Sequence, residues 1–323
     1  MRRLSICLAV AVGALVTAPV ALADGPSFVT QGGTGVASHG GAVHWVPVSD
    51  GPRGTGATLL ERVGGGQVDY WIRLDGSWGT PTIGSGLQVG QGLSRDGRTL
   101  VLASTGQPFS TPSKFLVVDL KRGRVVRTIA LNGSFTFDAL SPNASTMYVI
   151  EYTHGAGNDL TDYIVRAYDV RTNRLLPGKI ADRSEKDESM AGYAMTRATS
   201  ADGRWVYTLY QKPSGEPFVH ALDTVNAAAY CIDLPRNRGL YNIVLSLRNH
   251  DRTLAVHWRS GRPWLNVAVG SWQISYPSSS HSWTWVGAGI GGGLVLLSAG
   301  ALLLWRRRRK EPEEHPREEL GLA

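Results

Sequence analysis

Cysteine is nearly absent from this chain of 323 residues, with Cys7 and Cys231 the only two. Cys7 falls in an N-terminal apolar run, so the body of the chain carries one thiol. That excludes the disulfide scaffold on which small exported domains depend. Cys231 reads as a small buried hydrophobe. Charged residues make up only 18% of the chain, too few for a coiled coil, and hydrophobic residues make up 42%, too many for a disordered one. Between residues 24 and 282 no stretch sustains a 3.6-residue apolar period, which argues against a helical bundle. No His pair has HExxH or zinc-ribbon spacing, and neither the body nor the C-terminal tail holds a P-loop. Of the net charge of +7, Arg2 and Arg3 supply +2, the tail 306–323 supplies +1, and the long middle of the chain supplies +4. The middle is mildly basic without a basic stripe, so no nucleic-acid partner is expected.

Two hydrophobic segments set an expected topology. Arg2 and Arg3 precede an apolar run from Leu4 to Val16, and Ala21-Leu22-Ala23 follows. This is the pattern of an export leader cleaved between Ala23 and Asp24. Residues 283–305 contain no charge and are long enough to cross a hydrocarbon core of about 30 Å. Trp283, Trp285 and Trp305 sit at the ends of this run, where indole prefers the membrane interface. Arg306, Arg307, Arg308, Arg309 and Lys310 follow at once and would hold that end in the cytoplasm. The expected order is a signal peptide (1–23), an extracytoplasmic domain (24–276), a juxtamembrane linker (277–282), a transmembrane helix (283–305) and a mixed basic and acidic tail (306–323). This is a single-pass cell-membrane protein with its N-terminus outside, in contact with membrane lipid. Gly287 with Gly291, and Gly289 with Gly293, would allow two spans to pack closely as a homodimer.

The outside segment repeats itself. Ser94-Arg95-Asp96-Gly97-Arg98-Thr99 leads into Leu100-Val101-Leu102, Ser141-Pro142-Asn143-Ala144-Ser145-Thr146 into Met147-Tyr148-Val149-Ile150, and Ser200-Ala201-Asp202-Gly203-Arg204 into Trp205-Val206-Tyr207. Arg248-Asn249-His250-Asp251-Arg252-Thr253 leads into Leu254-Ala255-Val256, and a fainter copy starts at Ser38. About 25 residues after three of these starts, a hairpin recurs: Phe115–Asp119 with a Lys121-Arg122-Gly123 turn, Val165–Asp169 with Thr172-Asn173, and Val219–Asp223 with Val225-Asn226. In each, an Asp closes a strand, and a Gly or Asn is expected to supply the left-handed turn residue. Each unit of about 50 residues holds about four short strands. The units resemble those of YVTN-type and WD-repeat-like β-propellers over roughly residues 28–276. The last unit has Trp264-Leu265-Asn266-Val267 in place of the Asp hairpin. The expected fold is all-β, a β-propeller of about five blades of four short strands, followed by one C-terminal transmembrane helix. The Arg-rich, Lys-poor composition fits a high-GC, actinobacterial-like genome. A β-sandwich is the alternative, but it leaves the repeated motif without a reason.

Chemistry-bearing motifs are sparse. Ser200–Trp205 resembles a sialidase Asp-box, a structural turn that specifies no catalysis. Asn158, Asp159 and Asp162 lie in a polar loop that lacks EF-hand spacing. Residues 182–189 form a mixed-charge run, read as an exposed loop. His44 and His257 occupy equivalent strands of the first and last units and are candidates to share a polar channel. Most tryptophans should fill the wedges between blades; Trp71 and Trp78, which flank Asp75-Gly76, are the best candidates for an exposed peptide or carbohydrate contact, with core packing the competing reading for them too. No catalytic residue, metal site or cofactor is assigned. The expected role is a membrane-anchored binding or scaffolding module for an extracytoplasmic protein, peptide or envelope glycan. The rivals are an envelope enzyme (a propeller hydrolase, lyase or quinoprotein-like protein) and a single-pass sensor acting through helix dimerisation, since fold alone fixes no chemistry.

Overall fold

A computed structural model describes residues 28–51, 56–83, 89–106, 111–153, 162–182 and 190–277. The leader with its Ala23–Asp24 junction, residues 283–305 with Gly287, Gly289, Gly291 and Gly293, and the charges Arg306–Lys310 lie outside the described residues. So do the loop 154–161 and most of the run 182–189. Among the described residues, no helix is long and apolar enough to cross a membrane.

The described chain is built from strands. After β1 (Phe28–Thr30) comes a first sheet of β2 (Val36–Ala37), β3 (Val43–Asp50), β4 (Ala57–Gly64) and β5 (Gln67–Asp75). The second sheet contains β6 (Trp78–Ile83), β7 (Val89–Gly90), β8 (Thr99–Ser104), β9 (Ser113–Asp119) and β10 (Arg124–Leu131), with β1 paired to the free side of β6. The third contains β11 (Ser134–Leu140), β12 (Thr146–Tyr152), β13 (Asp162–Asp169), β14 (Arg174–Leu175) and β15 (Met190–Ala191). The fourth runs β16 (Tyr193–Thr199), β17 (Trp205–Gln211), β18 (Pro217–Asp223), β19 (Ala228–Asp233). The fifth runs β20 (Ile243–Arg248), β21 (Thr253–Trp258), β22 (Pro263–Ala268), β23 (Ile274–Ser275). Within each sheet the named strands pair antiparallel, each sheet follows the last along the chain, and the arrangement fits a β-propeller.

Strand periodicity explains why the sheets stack. Successive side chains point to opposite faces. On β17 and β18, Tyr207, Leu209, Val219 and Ala221 enter a core shared with the fifth sheet. Val206, Tyr210, Phe218 and Leu222 enter another shared with the third. A strand buried on both faces reads as a near-continuous apolar run, as Trp205–Tyr210 does with Thr208 its one break. Two further cores join the second sheet to the third and the first to the second. Tryptophans fill these wedges, with Trp45 and Trp78 between the first two sheets and Trp205, Trp258, Trp264 and Trp272 around the core of the last two. Trp272 lies 5.4 Å from Trp205 and 5.1 Å from Tyr230, ring to ring.

The repeated turns have one chemistry. Ser94 Oγ donates to Asp96 Oδ1 at 2.6 Å and accepts the Thr99 amide at 2.9 Å. Ser200 does the same with Asp202 (2.6 Å) and the Trp205 amide (2.8 Å). Ser141 does so with Asn143 (3.0 Å) and the Thr146 amide (3.0 Å). The Asp-box-like segment is therefore a turn, with Asp202 capping its own loop. The fifth sheet lacks the serine and turns differently, through Asn249, His250 and Asp251, all at positive φ.

The hairpin Asp residues also act alike, each accepting backbone amides of the turn that follows. The left-handed residue comes four positions after each Asp. It is Gly123 (φ 62°) after Asp119, Asn173 (φ 59°) after Asp169 and Ala227 (φ 50°) after Asp223. The sequence pattern pointed to Asn226 for the third hairpin. Asn226 instead donates its side-chain amide to Asp223 Oδ2 at 2.9 Å, and the left-handed step moves to the alanine.

Candidate functional site

The inner ends of four sheets converge on a cavity of about 300 Å³. Its wall takes Val36–Gly40 from the end of β2, Gly90–Arg95 between β7 and β8, Phe137, Ala139, Leu140 and Pro142 around the end of β11, and Arg197, Thr199, Ser200, Ala201 and Gly203 around the end of β16. Three of the repeated Ser turns therefore contribute to the rim. The turn chemistry that makes the fold also places Arg95, Pro142 and Ala201, each the residue after the turn serine, beside the cavity.

Arg197 is the buried charge on this wall, its side chain 2% exposed. It is held from three sides. Its Nε donates to Thr208 Oγ1 at 2.9 Å, Nη1 donates to the Asp138 carbonyl, and Nη2 donates to Asp138 Oδ1. Asp138, on β11, is equally buried and bridges the third and fourth sheets through this pair. Its second oxygen, Oδ2, has no hydrogen-bond partner among the described residues. A guanidinium has five N–H donors in a rigid fork. Three serve the scaffold here and two remain.

Behind the pair lies a buried aromatic and polar layer. Tyr163 and Tyr210 stack at 5.5 Å, Tyr210 stacks on Phe218 at 5.3 Å, and His220 meets Tyr210 edge-on at 6.4 Å. Burial pushes the Tyr163 and Tyr210 hydroxyls well above the usual phenol range, and the nearby Asp138 carboxylate adds to the effect. Tyr148 is raised to about 12 by burial, with Asp223 and Asp138 adding to it. Its hydroxyl donates to the Thr224 carbonyl at 2.8 Å. Burial also lowers His220, and this outweighs the attraction of Asp138. The imidazole is therefore neutral at physiological pH.

The candidates read from sequence lie elsewhere. Trp78 is 7% exposed, its indole Nε1 donating to the Asp75 carbonyl at 2.7 Å. It packs in the core of the first two sheets and offers no exposed contact. Trp71 is 56% exposed on β5. His44 Nδ1 contacts the Thr34 carbonyl at 2.9 Å beside a groove on the first sheet. His257 Nε2 pairs with Ser246 Oγ at 3.0 Å on the fifth. The two histidines thus have separate partners, and neither lines the central cavity. Cys231 is half-buried on β19 and forms no disulfide among the described residues. Among the described residues, no group of three or more His, Cys, Asp or Glu side chains is placed to hold a metal ion.

Arg197, Asp138 and His220 were missed in the sequence because nothing local distinguishes them. Arg197 and Asp138 stand 59 residues apart, one on each of two inner strands. The available signal was a charge inside an otherwise uncharged strand, as in Ser134-Phe135-Thr136-Phe137-Asp138-Ala139-Leu140 and Tyr193-Ala194-Met195-Thr196-Arg197-Ala198-Thr199.

No protein-family model and no curated protein sequence matches the chain. Solved structures of similar shape include the hydrazine synthase of Kuenenia stuttgartiensis, 16% identical with a TM-score of 0.42, the match covering 70% of this chain and 61% of that one. They also include the β-propeller domain of Cps50 (Swd1) from Myceliophteria thermophila, 13% identical with a TM-score of 0.43, covering 80% and 72%. A third is the dihydro-heme d1 dehydrogenase NirN in complex with DHE, 13% identical with a TM-score of 0.42, covering 75% and 48%. The chain thus spans less than two thirds of the length of the first and third of these.

Proposed function

We propose that this chain is a membrane-anchored, extracytoplasmic binding module of β-propeller type, whose recognition site is the central cavity and its rim. The observation that carries this reading is the Arg197–Asp138 pair. A buried, triply bonded guanidinium on the wall of a cavity is a preorganised polar anchor, and ligand sites are typically concave, with few polar groups held in fixed positions. The rim supports the same reading. Its side chains sit one residue beyond each structural serine, where they are free to differ without disturbing the turn. The leader at 1–23 and the apolar run at 283–305 supply the membrane placement.

The test uses the full chain, recovered from membranes, as bait. Capture of a partner that is lost on Gln91→Ala with Arg95→Ala, and retained on Trp71→Ala, supports the reading. Equal capture by the rim variant and the wild type places recognition elsewhere. The topology is tested separately, by thiol labelling in intact cells of single cysteines placed at the exposed position 67 and near residue 315, with Cys231 replaced by serine. Labelling of the first and protection of the second is expected.

A further inference from the structure

We propose that the central cavity takes a small monoanionic carboxylate, gripped between Arg95 and Arg197; this rests on the reading of the cavity as the recognition site. Three observations converge on it.

Among the described residues, the titratable groups lining the cavity are His39, Arg95 and Arg197, and none of the lining residues is a carboxylate. The Asp138 carboxylate pairs with Arg197 through Oδ1, and the acids of the rim turns are already engaged. Asp96 caps its own turn through Ser94 and the Arg98 amide, and Asp202 does so through Ser200 and the Arg204 amide. Asp251 accepts the Ala201 amide.

Both arginines are positioned and have donors left over. The stem of Arg95 lies over Gly203, where a methyl on that glycine would stand 3.3 Å from Arg95 Cβ. Its Nε donates to the Ala201 carbonyl, which anchors the fork at one corner. The Nη nitrogens have no partner among the described residues. Arg197 keeps two N–H groups beyond those that hold Asp138 and Thr208. A planar guanidinium fork matches a carboxylate in two parallel hydrogen bonds.

The charge balance of the arginines favours a monoanion. Asp138 compensates Arg197, so one uncompensated guanidinium charge, that of Arg95, remains. A carboxylate neutralises it, whereas a phosphate dianion would leave an excess negative charge in a partly enclosed site. The volume of about 300 Å³ stands at the lower limit of small-molecule pockets. It admits the acid end of a ligand, such as a peptide C-terminus or a sugar acid, but not a folded segment.

The experiment titrates the full chain, in detergent, by calorimetry at low salt. The probes are N-acetylalanine and glucuronate, against N-acetylalanine amide and glucose. Binding of either acid but not of its neutral counterpart is expected, and the stronger of the two identifies the source of the carboxylate. Arg95→Gln should weaken the acid about tenfold, the scale of one charged hydrogen bond, with melting lowered only by the loss of one exposed hydrogen bond to Ala201. Arg248→Gln, on the fifth sheet, should leave the affinity alone and controls for net charge. Equal binding of acid and neutral probes, or tighter binding of inorganic phosphate, overturns the carboxylate assignment while the cavity remains a binding site. Silence from every probe also overturns it, and the capture experiment with the rim variant then decides separately whether the recognition site survives.

Discussion

Arg95 of the second sheet donates its Nε–H to the carbonyl of Ala201 in the fourth, 106 residues away. The amide of the same Ala201 donates to the Asp251 carboxylate of the fifth. One peptide segment of the fourth sheet's turn is thus tied to two other sheets at the cavity rim.

Gly203 makes that tie possible. Its φ of +76° suits glycine, and its bare Cα accepts the Arg95 stem. Gly203→Ala should cost about 1–2 kcal/mol, the usual penalty for a left-handed L-residue, and should displace Arg95 as well. Denaturant melts check the first effect. Loss of carboxylate binding beyond that of an equally destabilised core variant checks the second.

The Arg197–Asp138 pair should behave as a unit. Removing one partner strands a buried charge, and Arg197→Met or Asp138→Leu alone should destabilise by about 3–5 kcal/mol. The double variant should cost clearly less than the sum, since neither charge is then left behind. A double-mutant cycle from urea melts measures this, and additive costs would show that the two side chains do not depend on each other.

His220 should give the fold an acid-sensitive limb. Its folded value lies below its unfolded one, so the unfolded chain takes up a proton first as pH falls. The contribution is fully present above the unfolded value of about 6.5 and declines below it. Melting temperature followed from about pH 8 to 5 should fall in that window, and His220→Gln should flatten the fall. An unchanged slope would mean that His220 takes up its proton while folded.

Ala227 carries a left-handed backbone at an exposed hairpin position that Gly123 fills in the equivalent turn. Ala227→Gly should therefore stabilise the chain by about 0.5–1 kcal/mol. That is the relief of the left-handed strain less the greater chain entropy of glycine. Chemical denaturation of the variant checks the sign.

The sheets were legible in the sequence because their signals are local. Ser94, Ser141 and Ser200 each close a turn within six residues, and Asp119, Asp169 and Asp223 each cap a turn within four, so spacing alone located the strands. The fifth turn, Asn249-His250-Asp251, reads in the sequence as a further copy, and the structure shows it turning instead through three residues at positive φ. The cavity was not legible. Arg197 meets Asp138, and Arg95 meets Ala201, across separations that only the stacking of sheets creates. Trp78 misled for the same reason. Its neighbours Asp75 and Gly76 suggest an exposed turn, but its ring is taken up by the core between two sheets.

Photocrosslinking in intact cells tests the central claim most directly. A photoreactive residue in place of Gln91, on the cavity wall, is compared with one in place of Trp71, on the outer strand of the first sheet. The account predicts a discrete adduct from position 91 that disappears when Arg95→Ala is added, and none from position 71. An adduct confined to position 71, or one from position 91 that is indifferent to Arg95, would contradict it.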